Sequence, residues 1–76
     1  MITVKLYGLL RLDSGIREKQ LEATSLRQVL DALADSGIPR HDLDGCVILV
    51  NGKHASKRSK LTPGDTVVLM SPVAGG

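Results

Sequence analysis

Residues 25–36, SLRQVLDALADS, form the stretch that decides the fold. Ser25 and Gln28 make a capping-box pair, in which each side chain can satisfy an open backbone N–H at a helix start. Gly37 can adopt the left-handed conformation that ends a helix, and Pro39 cannot extend one. Between these signals, apolar residues recur at the i, i+3, i+4 and i+7 positions of one helical face: Leu26, Val29, Leu30 and Leu33. The stretch therefore predicts an amphipathic helix that ends near residue 36.

Two strand patterns precede this helix. Residues 2–10 begin with a strict alternation of apolar and polar side chains, which is typical of a half-buried strand. A turn cluster at residues 13–15 follows, and residues 16–21 again alternate apolar and charged side chains. The two segments are predicted to pair as a hairpin.

Further strand patterns follow the helix. Residues 46–50 form a continuous apolar run, which predicts a central strand buried on both faces. Asn51-Gly52 directly after it is a strong hairpin signal. A turn at residues 63–65 then leads into a last apolar strand at residues 66–70. Together the elements predict an α+β fold, in which one mixed sheet carries one main helix across one face and resembles the ubiquitin-like β-grasp.

The composition narrows the possible functions. A single cysteine, Cys46, excludes an internal disulfide and leaves no cysteine cluster for zinc or an iron–sulfur centre, so no metal site is predicted. The net charge of +2 is close to the mixed surface of an ordinary domain, and no aromatic residue is interleaved with the cationic residues 53–60. We therefore expect a solvated loop there and no nucleic-acid partner. Without a membrane-spanning run or a signal-peptide core, a cytoplasmic location is expected.

One cysteine and two histidines could in principle take part in chemistry, but a structural explanation is preferred for each. Cys46 could relay sulfur, but it opens an apolar run and is better explained as a small buried side chain. His41 and His54 lie thirteen residues apart with no nearby thiol or carboxylate triad, and both are interpreted as surface residues.

The last five residues, PVAGG, carry the most specific chemical signal. Pro72 cannot continue a central strand, so the chain is predicted to form a domain over residues 1–71 and a flexible tail over residues 72–76. A backbone carboxylate becomes an acyl donor only after activation, for example as an acyl-adenylate inside a partner enzyme. Gly75 and Gly76 lack Cβ atoms and can thread a narrow channel. Attack by sulfur on the adenylate would leave a thiocarboxylate at Gly76.

The chain resembles the sulfur-carrier family. The resemblance lies in Val50-Asn51-Gly52, in the run LTPGDTV at residues 61–67, in the Gly-Gly end, and in Leu10-Arg11 with Gly15 near the start. The nearest members are the small subunits of molybdopterin synthase.

The resemblance implies a protein that is not a catalyst and binds no cofactor of its own. An adenylating enzyme would use ATP to activate Gly76 and load it with sulfur, and the large synthase subunit or another sulfur-accepting synthase would receive it. We expect the adenylating enzyme to dock beside the last strand. The predicted partner contacts are Val68, Met70, Pro72, Val73 and Ala74.

Two other functions remain open at this point: a ubiquitin-like modifier joined to lysines, and a β-grasp interaction domain whose terminus has no role. The accepting pathway is also open. It could be the molybdenum or tungsten cofactor, thiamin, cysteine or thiolated tRNA.

Overall fold

The computed structural model describes residues 1–8, 10 and 15–71. Within this part of the chain the elements are β1 (Ile2–Tyr7), β2 (Glu18–Leu21), α1 (Leu26–Asp35), α2 (Arg40–Asp44), β3 (Val47–Val50), β4 (Lys53–His54) and β5 (Thr66–Met70). The strands form one mixed sheet in the order β2-β1-β5-β3-β4. β1 and β5 are parallel neighbours, and the other pairs are antiparallel. This architecture confirms the predicted α+β fold.

The buried core lies between α1 and one face of the sheet. Alternate residues of each strand point to the same face, so β1 and β5 each contribute every second side chain to it. No described polar or charged residue is buried, and packing of aliphatic side chains is the source of stability. The core residues are Ile2, Val4, Leu6, Leu10, Leu26, Val29, Leu30, Leu33, Ile38, Leu43, Ile48, Leu61, Val67 and Leu69.

Helix α1 forms as the sequence predicts, with all four residues of its apolar stripe buried. Ser25 is the N-cap, and its Oγ accepts a hydrogen bond from the Gln28 N–H at 3.4 Å. The Gln28 side chain accepts from the backbone N–H of Thr24 at 2.7 Å, one residue earlier than the capping box predicts. After the C-cap Ser36, Gly37 has φ +104°, the left-handed conformation that glycine tolerates.

Strand β1 is shorter than predicted. It ends at Tyr7, because Gly8 has φ +70° and turns the chain away from the sheet. Leu10, which the sequence placed in this strand, is a buried core residue beyond it. Most of the predicted turn at 13–15 lies outside the described residues, and the following strand begins at Glu18.

Strand β3 differs from its predicted environment. Only Ile48 in it is buried, whereas Val47 and Leu49 are half-buried on the opposite face, where no described element covers the sheet. The short helix α2 was not predicted. Leu43 is the one buried residue among its five, and a single apolar residue gives no periodicity from which a helix could be predicted.

Candidate functional site

The predicted tail leaves the domain from the centre of the sheet. β5 lies between β1 and β3, and Ser71 directly after it is the last described residue. Five residues of the predicted site lie outside the described residues: Pro72, Val73, Ala74, Gly75 and Gly76. What the structure describes is therefore the surface from which the tail departs.

The chain is closely packed where the tail departs. Met70 at the end of β5 pairs with Tyr7 at the end of β1, so the two strands finish side by side. A Cβ atom added to Gly8 would lie 2.5 Å from the Ser71 Oγ, and the φ of +70° at Gly8 would itself strain another residue. Because Gly8 has no side chain, the Ser71 side chain can pack against it directly before the tail begins.

The face of the sheet opposite α1 carries an apolar cluster, here called the outer patch. The strand registers place Val68 between Lys5 and Leu49, and Met70 between Tyr7 and Val47. No described helix or strand lies over these side chains. The outer patch consists of Tyr7, Val47, Leu49, Val68 and Met70.

Val68 and Met70 were selected from sequence, and both lie in the outer patch as half-buried residues. Their contribution to partner binding is still a prediction. The other three members were not selected. Val47 and Leu49 belong to the strand that was predicted to be buried on both faces, and because residues 47–50 are all apolar, no signal in the sequence marks its exposed face.

The outer patch has a charged and polar rim. Glu18 pairs with Lys5 across β2 and β1, and His54 pairs with Leu49 across β4 and β3, so all four lie in one row across the sheet. An apolar centre with a polar rim is the usual anatomy of a protein-binding surface.

A hydrogen-bonded cluster anchors the start of β5. The Asp65 carboxylate accepts from the Asn51 Nδ2 at 2.9 Å and from the Thr62 N–H at 2.9 Å. Asn51 has φ +51°, and its Oδ1 accepts from the Thr66 N–H at 3.0 Å. The motif residues Asn51 and Asp65 thus join two turns and set the position of the last strand.

We expect the hydrogen bonds around Asp65 to make part of the free energy of unfolding depend on pH. The hydrogen bonds from Thr62 and Asn51 favour the charged carboxylate and lower the pKa of Asp65 below 3.8. The charged Asp65 carboxylate therefore stabilises the fold above pH 3.8, and this stabilisation is lost as the pH falls through the lowered pKa of the folded state. We expect Asp65→Asn to lower the urea midpoint at neutral pH, with the difference from wild type shrinking in acid.

The control for this measurement is Glu22→Gln, which removes an exposed carboxylate without a hydrogen bond to a described residue. It should leave the urea midpoint nearly unchanged. If Asp65→Asn and Glu22→Gln gave the same midpoints across the pH range, the cluster would not stabilise the fold.

The cysteine and the two histidines lie away from the outer patch or at its edge. The Cys46 thiol is half-buried and donates to the Leu43 carbonyl at 2.9 Å, and burial raises the pKa of this thiol. A raised pKa disfavours the thiolate that a sulfur relay needs. His41 and His54 are exposed.

The part of the chain that the structure describes has neither a cluster of metal ligands nor a membrane-spanning helix. Residues 1–8, 10 and 15–71 contain no group of three or more metal-ligating side chains. None of the helices in this part of the chain is long and apolar enough to cross a membrane.

The parallel β1–β5 pair at the centre of the mixed sheet and the helix α1 across one face define a ubiquitin-like β-grasp protein. The model of the ThiS family matches residues 4–76, and the chain belongs to this family of ubiquitin-like sulfur carriers. Small proteins of this kind are generally not catalysts. A search of curated proteins finds no significant match.

Several solved structures share the fold over almost the whole chain. SAMP1 of Haloferax volcanii, a small archaeal modifier protein, is 25% identical with a TM-score of 0.82, over 99% of this chain and 98% of that one. A chain in the complex of subunits 1 and 2 of the molybdopterin-converting factor of Helicobacter pylori is 22% identical with a TM-score of 0.76, and the match covers 99% of this chain and 97% of that one. A chain in the BexX/CysO complex of Amycolatopsis orientalis is 19% identical with a TM-score of 0.81, over the full length of both.

Proposed function

We propose that this protein carries sulfur as a thiocarboxylate on Gly76 and donates it as the small subunit of a molybdopterin synthase. The observation that supports this most directly is the family match, which extends through the Gly-Gly end. The two complexes among the structural neighbours support a protein partner.

The proposed reaction needs two steps at the Gly76 carboxylate. First, the carboxylate attacks the α-phosphate of ATP in the adenylating partner, and pyrophosphate leaves. A sulfide-level nucleophile supplied by that partner then attacks the carbonyl of the mixed anhydride, and AMP leaves with a thiocarboxylate remaining. The role of this chain is to present the carbonyl on a narrow arm, which Gly75 and Gly76 permit because neither has a side chain.

We assign docking of the adenylating partner to the outer patch. The patch lies beside the point where the tail departs, so a protein bound there would receive the tail directly. Removing its apolar side chains from water would supply part of the binding free energy. We assign contacts inside the partner to Pro72, Val73 and Ala74.

The docking assignment predicts that Val68→Asp and Met70→Asp weaken binding of the adenylating enzyme. An Asp in the apolar centre of an interface leaves a desolvated charge, and central contacts contribute more than about 1–2 kcal/mol. We expect the dissociation constant to rise by about tenfold or more. Isothermal titration calorimetry with the purified partner would measure it.

Thr66→Asp is the matched control for these variants. Thr66 lies on the same strand and the same face, opposite Thr3 and farther from the departing tail. All three variants should keep the wild-type circular dichroism spectrum. Wild-type affinity for both Val68→Asp and Met70→Asp would show that the partner docks elsewhere.

The proposed role in molybdopterin synthesis can be tested by analysing the products of a reconstituted synthase reaction. Thiocarboxylated protein, mixed with a molybdopterin synthase large subunit and the pterin precursor, should yield dithiolene product and return to the carboxylate mass. Failure with the large subunit, together with turnover by a synthase of cysteine, thiamin or tRNA thiolation, would reassign the pathway and leave the carrier chemistry intact.

A second candidate function is a modifier of lysines, which the similarity to SAMP1 favours. Carrier and modifier share the activated Gly76 and differ in the product. Intact-mass analysis of protein from its native cell would show an oxygen-for-sulfur exchange for a carrier and an isopeptide-linked conjugate for a modifier.

A further inference from the structure

A groove lies on the helix side of the molecule, away from the outer patch. Its volume is about 560 Å³, and four of its six lining residues are cationic. They come from the start of α1, the start of α2 and the loop after β4. The residues that line this cationic groove are Ser25, Arg27, Leu30, Arg40, Lys57 and Arg58.

Two of the four cations already have acidic partners. Arg40 contacts Asp31 at 2.9 Å and Lys57 contacts Asp44 at 2.6 Å, and all four side chains are about half exposed. The pKa of Asp44 is lowered, chiefly by its hydrogen bond to Lys57. Because exposed ion pairs contribute little stability, Arg40 and Lys57 can turn to a competing anion at small cost.

The other two cations leave the groove with an excess of positive charge. Neither Arg27 nor Arg58 forms an ion pair with another residue in the described part of the chain. Arg27 also lies in the first turn of α1, which contains no acidic residue. A cation there is unfavourable, since the helix dipole is positive at this end. The local potential therefore favours an anionic ligand.

We propose that the cationic groove binds an acidic peptide segment of a partner protein. Carboxylates already contact two of its four cations, Arg40 and Lys57, so the carboxylates of an acidic peptide match the groove in charge and chemistry. The volume lies in the range of pockets that hold several side chains or a whole ligand. No aromatic residue lines the groove, so it lacks the stacking surface on which single-stranded nucleic acids rely.

The acidic segment can bind at the same time as a protein on the outer patch. Leu30 and the rest of α1 cover one face of the sheet, and Val68 and Met70 point from the other. Binding in the groove is therefore independent of the chemistry at Gly76, and this inference does not rest on the proposed function.

The test uses fluorescein-labelled hexaglutamate as the acidic probe and measures fluorescence anisotropy at low ionic strength. Wild-type protein should bind the probe saturably and more weakly as salt is added. Arg27→Glu and Arg58→Glu should each weaken binding by about tenfold, because each replaces an attraction by a repulsion inside the groove. Deleting Gly75 and Gly76 should leave the affinity unchanged.

Arg17→Glu is the control, since it makes the same change of charge at an exposed position outside the groove. It should change the affinity by less than about twofold, as expected for a screened, distant charge. Thermal melts would verify that all variants fold. The proposal is overturned if the probe does not bind, or if Arg17→Glu weakens binding as much as Arg58→Glu. Tighter binding of an oligothymidylate of equal charge would assign the groove to nucleic acid, and displacement of the probe by equimolar inorganic phosphate would assign it to a small anion.

Discussion

Adding one glycine after Gly76, or deleting Gly76, is expected to abolish sulfur loading without unfolding the domain. Each change moves the terminal carbonyl by about 3.3–3.6 Å along an extended chain. A misplacement of about 1 Å at a reacting centre can already cost on the order of a hundredfold in rate. Incubation with the adenylating partner, ATP and a sulfur donor, followed by intact-mass analysis, should show an oxygen-for-sulfur exchange at Gly76 only in the wild type.

The fold should tolerate these changes, because the described core is complete without the tail. Among the residues that the structure describes, the last buried one is Leu69, and the other core residues precede it. Changes outside a packed core typically shift the free energy of unfolding by no more than about 0.5 kcal/mol. Urea denaturation of both length variants should therefore match that of the wild type.

Glu22→Gln, a change at an exposed position of the domain, is the control for the length variants. It leaves the number of residues in the tail, and hence the reach of the carboxylate, unchanged. We expect it to be loaded with sulfur. The carrier hypothesis would fail if the extended protein were loaded as fast as wild type, or if wild type gained no sulfur with a partner active on other carriers.

Leu30→Ala is expected to lower the free energy of unfolding by about 2–5 kcal/mol. Leu30 is 2% exposed and lies in the buried stripe of α1 between Leu26 and Leu33, so its loss leaves a cavity in the core. A domain of 76 residues has a total stability of roughly 4–11 kcal/mol at the usual 0.05–0.15 kcal/mol per residue. The substitution therefore removes a large part of the stability, and urea denaturation would measure the loss.

The same helix provides the comparison. Asp35 is exposed at the end of α1, and Asp35→Ala should change the free energy of unfolding by less than about 0.5 kcal/mol. A Leu30→Ala protein without a folded baseline at zero urea would correspond to the upper end of the expected range. Equal midpoints for Leu30→Ala and Asp35→Ala would mean that the buried face of α1 is wrongly assigned.

The parts of the fold that could be predicted are those encoded by neighbouring residues. The stripe of α1, its Ser25 cap and the Gly37 stop all lie within one short segment, and each is present in the structure. Asn51-Gly52 likewise forms the predicted hairpin, because both residues adopt positive φ and Val50 pairs with Lys53. β1 was predicted too long because apolar residues continue in the sequence beyond the positive-φ turn at Gly8.

The candidate site was predictable in part for the same reason. Successive side chains of a β-strand point to opposite faces, so backbone geometry alone places Val68 and Met70 on the same face of β5. The run containing Asp65 could be recognised as a motif, but its role in holding Asn51 became visible only in the structure. Helix α2 and the half-exposed face of β3 depend on what packs over them, which no local pattern records.

By itself, then, the sequence determined the main helix α1 and its buried face, the approximate positions of most strands, and the Gly-Gly chemistry proposed for the tail. Only the tertiary structure decided that β5 lies between β1 and β3, which places Tyr7 and Val47 beside Met70. It also brought Arg27 and Arg58 into one groove. The physical reason is that periodicity depends on residues a few positions apart, whereas the lateral order of strands and the packing of loops depend on burying all apolar faces at once.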